Sequence, residues 1–207
     1  MTVCKLKLEA PGGARRVLLH ACCAPCSGAI VEALLQQGFE PTLFYSNSNI
    51  YPLEEYLHRR DECERYAQEC GIGFIEDEYN HDVWRRAVGS GREREPERGA
   101  RCLECFRFRL RRSAQYAAEN GFPVLTTTLA SSRWKNLEQV GAAGEAACAD
   151  GSVAWWGQNW RKGGLQERRG EIIREHGFYN QLYCGCEFSC LPQWDTHQQL
   201  ASAPVVR

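Results

Sequence analysis

The chain has 207 residues, 43% of them hydrophobic, with 25 Lys and Arg against 26 Asp and Glu for a formal net charge of −1. That length supports one core with at most a small appendage. No apolar run approaches the ~20 residues of a membrane helix, and the near-neutral balance excludes a globally basic nucleic-acid binder, so any basic surface is local.

Residues 1–9 alternate apolar and charged side chains, the pattern of neither a signal peptide nor an anchor. A cytoplasmic, reducing setting away from membranes is therefore expected, and there twelve cysteines argue for metal or redox chemistry rather than a disulfide scaffold. Residues 17–21 (VLLHA) read as a buried strand. Past Cys22, Cys23 and Cys26, helical spacing over 29–37 stops at Gly38, a C-cap. A second strand, 42–45, leaves through a polar loop, 46–52. A charged amphipathic helix, 53–70, ends at Gly71, and 73–75 is a short third strand. The stretch 81–100, rich in Arg, Glu and Gly, reads as a loop or small helical insertion within one catalytic domain spanning 1–207. Then follow a helix over 103–120, a strand at 124–128, a helix over 135–149, a strand at 153–156, a helix over 167–176 and a Cys-rich tail.

Strands alternating with helices predict βαβ units, hence an α/β fold with a parallel sheet and flanking helices. Ligands of such sheets sit beyond the carboxyl ends of the strands, and the unusual residues fall there. Cys22 and Cys23 follow the first strand, and Asn47 and Asn49 the second. Thr127, Thr128 and Ser132 close the strand at 124, and Asn159, Arg161 and Lys162 follow the last. One shared site at these ends is expected.

Three cysteine groups stand out: Cys22-Cys23-x-x-Cys26, Cys102-x-x-Cys105 and Cys184-x-Cys186. Thiolates are soft ligands that select zinc, copper or iron–sulfur clusters. Cys26 lies where the first helix starts and its dipole favours a thiolate, and Arg101 and Arg107 flank the second pair. A structural zinc site needs four ligands in two knuckles; six or seven cysteines are too many for one zinc, and adjacent Cys22 and Cys23 make a poor knuckle. Thiol–disulfide exchange at Cys102 and Cys105 is the lesser alternative. Cys63 and Cys70 share a helix face and read as core, while Cys4, Cys148 and Cys190 have no partner at ligand spacing.

From Arg92 to Arg112 eight arginines face four acids, and Trp155, Trp156, Trp160, Arg161 and Lys162 form a second basic and aromatic stretch. Arginine with exposed aromatics suits looped or single-stranded RNA, and Gly163-Gly164 lets a backbone approach a phosphate. The competing reading is a solvated charged face with core tryptophans.

Taken in order, several motifs now combine. They are Leu18-Leu19-His20-Ala21-Cys22-Cys23-Ala24-Pro25, Asn47-Ser48-Asn49-Ile50-Tyr51-Pro52, Arg101-Cys102-x-x-Cys105 and Thr127-Thr128-Leu129. Lys135-Asn136, Asn159-x-Arg161-Lys162-Gly163-Gly164 and Tyr179-x-Gln181-x-Tyr183-Cys184-Gly185-Cys186-x-Phe188-Ser189 complete the set. Over residues 17–190 the chain resembles the cobalamin-independent epoxyqueuosine reductase family. The resemblance implies reduction of the epoxide of epoxyqueuosine to queuosine at the tRNA wobble position, on a nucleotide-hydrolase-like, Rossmann-like fold. It also implies a [4Fe–4S] cluster beside a mononuclear iron, with Cys22, Cys23, Cys102, Cys105, Cys184 and Cys186 as metal ligands. Cys26 stands where some relatives carry an aspartate that ligates the lone iron, and Ser48 and Arg133 stand where relatives often have proline.

Removing an epoxide oxygen as water takes two electrons and two protons. The chain carries no nicotinamide or flavin fingerprint, so an external donor of ferredoxin or flavodoxin type is expected. Tyr183 and His20, beside ligand motifs, are the candidate proton donors, although a histidine inside a strand is more often a packed core residue. Two other classes remain open at this stage. One is a zinc-stabilised RNA-binding module without redox activity. The other is an ATP-using or sulfur-transfer enzyme, disfavoured because no SGGxDS-type loop follows the first strand.

Overall fold

A computed structural model describes residues 5–189. Its elements run β1 (Arg16–His20), α1 (Ala24–Gln36), β2 (Glu40–Tyr45), α2 (Leu53–Glu69), β3 (Gly73–Glu76), α3 (His81–Trp84), α4 (Ala100–Glu119), β4 (Val124–Thr127), α5 (Leu137–Ala147), β5 (Ala154–Trp155) and α6 (Leu165–His176). The five strands form one sheet in the order β3-β2-β1-β4-β5, every pair parallel. The α/β expectation is met, with the helices packed on the sheet.

β1 lies at the centre, so both of its faces are covered and its sequence is a continuous apolar run rather than an alternating one. Leu19 pairs with Leu43 on one side and Thr126 on the other. Successive side chains still divide between the faces. Val17, Leu19 and Leu43 join a buried cluster with Ile30, Leu34, Tyr66 and Ile172 of α1, α2 and α6. Leu18, Phe44 and Leu125 join Ala114, Ala117 and Phe122 at the end of α4. From β1 the chain builds outward to β3, then returns to add β4 on β1's other edge. The carboxyl ends of β1 and β4 therefore flank the switch point at which such sheets bind ligands.

Local chemistry moves several boundaries. α1 starts at Ala24, five residues before the expected start, because Pro25 fits the first turn, where its missing N–H costs nothing. α4 starts at Ala100 rather than 103: Glu95 Oε2 accepts the Ala100 N–H at 3.1 Å and satisfies one of the free donors of the new helix. Cys102 and Cys105 are thereby placed in its first two turns. β4 gives way at Thr128 to a 3₁₀ turn, Thr128–Ser131. Asn136 caps α5 through the N–H groups of Glu138 and Gln139. In the stretch 81–100, α3 runs on into π-helical turns, Arg85–Gly89, before turns lead to α4. Among the described residues no helix is long and apolar enough to cross a membrane. Cys4 and Cys190 lie outside the described residues.

Candidate metal centre

Beyond His20 the chain turns sharply through Ala21 and Cys22 into Cys23, the extended N-cap of α1. Cys26 follows in the helix's first turn, and the sulfurs of Cys22, Cys23 and Cys26 all lie within 4.8 Å of one another, buried. Cys22 and Cys23 are 3.8 Å apart at sulfur. The Thr128 hydroxyl, from the end of β4, donates to Cys22 Sγ at 3.2 Å and accepts the Cys22 N–H at 3.0 Å. Gln181 Nε2 donates to Cys23 Sγ at 2.9 Å. Hydrogen bonds from Cys23 and Cys26 hold the Cys22 thiol well below the usual range, and the same sharing pushes Cys23 and Cys26 up. The Lys135 ammonium acts on Cys22 in the same downward direction.

Four more cysteines meet beside the triad. Cys102 and Cys105, one helical turn apart on α4 and so on one face, line a small cavity with Cys184 and Cys186. The Cys184-Gly185-Cys186 turn is locked onto α2. Buried Arg59, paired with Glu55 at 2.7 Å, donates to the carbonyls of Tyr183 and Cys184, each at 3.3 Å. Gly185 sits at φ +104, and a Cβ there would stand 3.0 Å from both Arg59 Nη1 and Ile50 Cγ1, so only glycine lets the turn lie so close. Cys186 bridges to Ile50, and Tyr51 N–H reaches the Gly185 carbonyl at 2.8 Å. Burial pushes Cys102 up to about 11 and also raises Cys105. A hydrogen bond from Cys186 holds Cys184 low while its own thiol is raised. Cys184 also lines the triad's larger cavity, about 1020 Å³, which joins the two groups.

The walls fit a sulfur-rich guest. Arg101 Nε and Asn49 Oδ1 are buried without a hydrogen-bond partner among the described residues, the Trp84 indole N–H meets the Cys105 thiol, and all three residues line the four-cysteine cavity. Buried polar atoms are almost always satisfied, so a guanidinium N–H and an indole N–H beside four thiols suit a group that offers sulfur acceptors, while the Asn49 oxygen is left to accept from a donor. Seven thiols exceed the four ligands of a structural zinc. Lys135 lines both cavities; burial opposes its charge, but the sulfurs of Cys22, Cys184 and Cys26 outweigh that and hold the ammonium above its ordinary range.

The other expected residues divide. Asn47 lines the larger cavity, but its amide is engaged, donating to the Ala21 carbonyl at 2.8 Å and accepting from Arg109. Asn49 lines both cavities. Tyr183 lines the larger one, its hydroxyl donating to the Tyr51 carbonyl at 2.6 Å. His20 is fully buried between Thr127 Oγ1 at 2.7 Å and the Ser46 carbonyl at 3.3 Å. Burial and nearby Arg109 hold it down to about 3. Buried and held between β4 and the loop after β2, it braces the two as a packed histidine does, its Nε2–H facing the Ser46 carbonyl. Thr127 serves His20, and Thr128 serves Cys22.

Asn159, Arg161 and Lys162 line neither cavity. Asn159 Oδ1 accepts the Arg161 N–H at 3.0 Å, and Arg161 turns inward onto the carbonyls of Ser132 and Lys135 at 2.6 and 2.7 Å. Gly163, at φ +68, makes room for Leu6, whose Cγ would lie 2.2 Å from a Cβ, and no phosphate is needed to explain it. Trp156 and Trp160 are core residues. Arg107 pairs with Glu104 at the surface rather than with sulfur. Lys135 and Gln181 stand in the motifs that carry the family resemblance, though without a role; the sequence pattern does not single out Arg109, Trp84 or Trp134. The cation–Trp–cation run Arg133-Trp134-Lys135 is a local signal that marks Trp134; nothing local marks Arg109 or Trp84.

The family model described as "Epoxyqueuosine reductase QueH" matches residues 17–191. Proteins named epoxyqueuosine reductase QueH are similar over most of their length. The one from Histophilus somni is 47% identical over 184 residues, covering 88% of this chain and 75% of that protein. The one from Haemophilus influenzae is 46% identical over 184 residues, with the same coverage. The one from Acinetobacter baylyi is 45% identical over 186 residues, 89% of this chain and 85% of that protein.

Proposed function

The chain belongs to the epoxyqueuosine reductase QueH family, and we propose that it reduces epoxyqueuosine in tRNA with a [4Fe–4S] cluster and a second iron held by its seven clustered cysteines. The observation that carries the cofactor reading is the gathering of those cysteines, from three parts of the chain, around two joined cavities, with the Trp84 and Arg101 N–H groups in the wall beside them. Cys102, Cys105, Cys184 and Cys186 would hold the cluster, the four-cysteine set usual for a cubane. Cys22, Cys23 and Cys26 would hold the second iron. When bound, this pair supplies reducing electrons and a Lewis acid for the epoxide oxygen.

The chain's own residues bind and orient the substrate. Asn49 offers an unengaged amide oxygen to a polar group entering between the two cavities. Lys135 sets a cation where oxygen gains negative charge as its carbon bonds break. Tyr183, half-buried on the same cavity, is placed to hand over a proton from its hydroxyl and recover it from solvent. Arg109 and Thr128 position Asn47 and Cys22. Electrons arrive from an external protein of ferredoxin or flavodoxin type, in the cytoplasm, because the two-electron reaction needs resupply after each turnover.

Anaerobically purified protein is expected to be brown, with about four to five irons and acid-labile sulfide per chain, and to convert epoxyqueuosine tRNA to queuosine tRNA with a chemical or protein reductant. Stoichiometric zinc without sulfide in a colourless protein would end the cofactor assignment.

A further inference from the structure

The mouth of the larger cavity carries an exposed aromatic on an unusually braced loop. Among the described residues Trp134 and Leu182 are the most exposed large apolar side chains, 78% each, and both line this one cavity. The loop 132–135 is not loose. Its four successive carbonyls are each taken by a guanidinium: Arg161 binds those of Ser132 and Lys135 at 2.6 and 2.7 Å, and Arg98 binds those of Arg133 and Trp134 at 3.2 and 2.9 Å. Arg98 is itself in the left-handed region, at φ +66, the only described non-glycine residue there. Such strain persists where the surroundings impose it and concentrates at functional sites. Its N–H meets Cys102 Sγ at 3.2 Å, so one residue joins a candidate metal ligand to the loop. Two arginines, exposed Arg98 and half-buried Arg161, thus fix a backbone whose tryptophan remains in solvent.

We propose that this loop is a preformed stacking platform for RNA: Trp134 takes a nucleobase neighbouring the modified one, and Arg133 and Arg169 on the same rim take backbone phosphates. The proposal rests on the reading of tRNA as substrate and adds the residues that hold it. Arg59, Arg98, Arg109, Arg133, Lys135 and Arg169 line the cavity against a single carboxylate, Glu97, so its field suits a polyanion. Arg133 and Arg169 have no carboxylate within ion-pair distance among the described residues. Looped RNA is read by splaying bases onto aromatic side chains, and a tryptophan on a backbone already held costs less ordering when a base lands on it. An acidic electron-donor protein would also favour a cationic rim. It delivers electrons through the protein wall, however, whereas the modified base must itself enter the mouth that Trp134 borders.

The test is affinity for epoxyqueuosine tRNA, by fluorescence anisotropy across a salt series, with thermal melting to confirm folding. W134A is expected to weaken binding on the order of 10- to 100-fold with an unchanged salt slope, as loss of one base stack does. W134F should keep most of the affinity while losing the tryptophan quenching that RNA produces in the wild type. R133A should flatten the slope by about one phosphate contact. R161A should weaken binding without touching the slope, since its guanidinium holds the loop and not a phosphate. Arg111→Ala, on the exposed side of α4 and away from the cavity, should change nothing. Wild-type affinity in W134A, or equal quenching in W134F, overturns the platform while leaving the enzyme's assignment intact. So does an unchanged tRNA affinity with slower reduction by ferredoxin in W134A, which would give this face to the protein donor. A wild-type protein that neither binds nor reduces this tRNA would instead defeat the underlying reading.

Discussion

The two halves of the thiol site are built in opposite ways. Cys22, Cys23 and Cys26 lie within five residues, at the turn between the central strand and its helix, and the sheet alone brings them within 4.8 Å at sulfur. Cys102, Cys105, Cys184 and Cys186 come from the first turns of α4 and from a turn beyond α6, and that turn is docked by Arg59 on α2, which holds the carbonyls of Tyr183 and Cys184, and by backbone contacts to Ile50 and Tyr51. The first half inherits its rigidity from the most buried strand of the fold. The second depends on one docked turn, so it is the half where a single distant change does most damage.

The sharpest break is direct. C102A and C184A should each lose most of the activity, about 100-fold or more, and much of the iron, whereas C63A and C148A should lose neither beyond the ~1 kcal/mol of a small buried side chain. Iron and sulfide analysis of the four variants checks this, and equal losses in both groups would dissolve the division of the cysteines.

Next in size is Arg59→Ala. It removes the charged partner of half-buried Glu55 and both bonds to the docked turn, at a cost of about 3 kcal/mol. In metal-free protein a thiol-reactive dye should then reach Cys186 as well as Cys184, while Cys22, Cys23 and Cys26 stay protected. Simultaneous exposure of all of them would show that the halves are one cooperative unit.

The smallest effect sharpens the comparison without breaking it. Trp84→Phe keeps an aromatic ring in the wall of the four-cysteine cavity and deletes only the indole N–H that meets Cys105. Iron content should be unchanged, and the cluster's reduction potential should fall by tens of millivolts, as one hydrogen bond of about 1 kcal/mol implies for a one-electron couple. The same titration on C26A, with an intact cubane spectrum, would place the triad outside the cluster; a lost spectrum would place Cys26 within it.

The alternation of strands and helices, the parallel sheet and the cysteine cluster at the end of its first strand were legible, because periods of 2 and 3.6 and short turns are local properties of a chain. The cysteine groups were legible for the same reason: ligand spacing is a local pattern. Less visible was the start of α4, which turned on Glu95 reaching forward to cap Ala100. Arg161 looked like a phosphate contact because its neighbours are lysine and glycine. Its inward turn is decided by the loop 132–135, whose nearer accepting carbonyl is 26 residues away.

What the sequence by itself determined is the set of parts: an α/β sheet, seven cysteines at ligand spacing and the family motifs that join them. Only the tertiary structure decided which parts face one another. Gln181 bonds Cys23 from 158 residues away, Thr128 holds Cys22 across 106, and Arg59 docks Cys184 across 125. It also buried Trp156 and Trp160 and left Trp134 at the mouth. The physical reason is that burial and long-range hydrogen bonds depend on the packing of whole elements, and the spacing of neighbours along a chain carries no record of it.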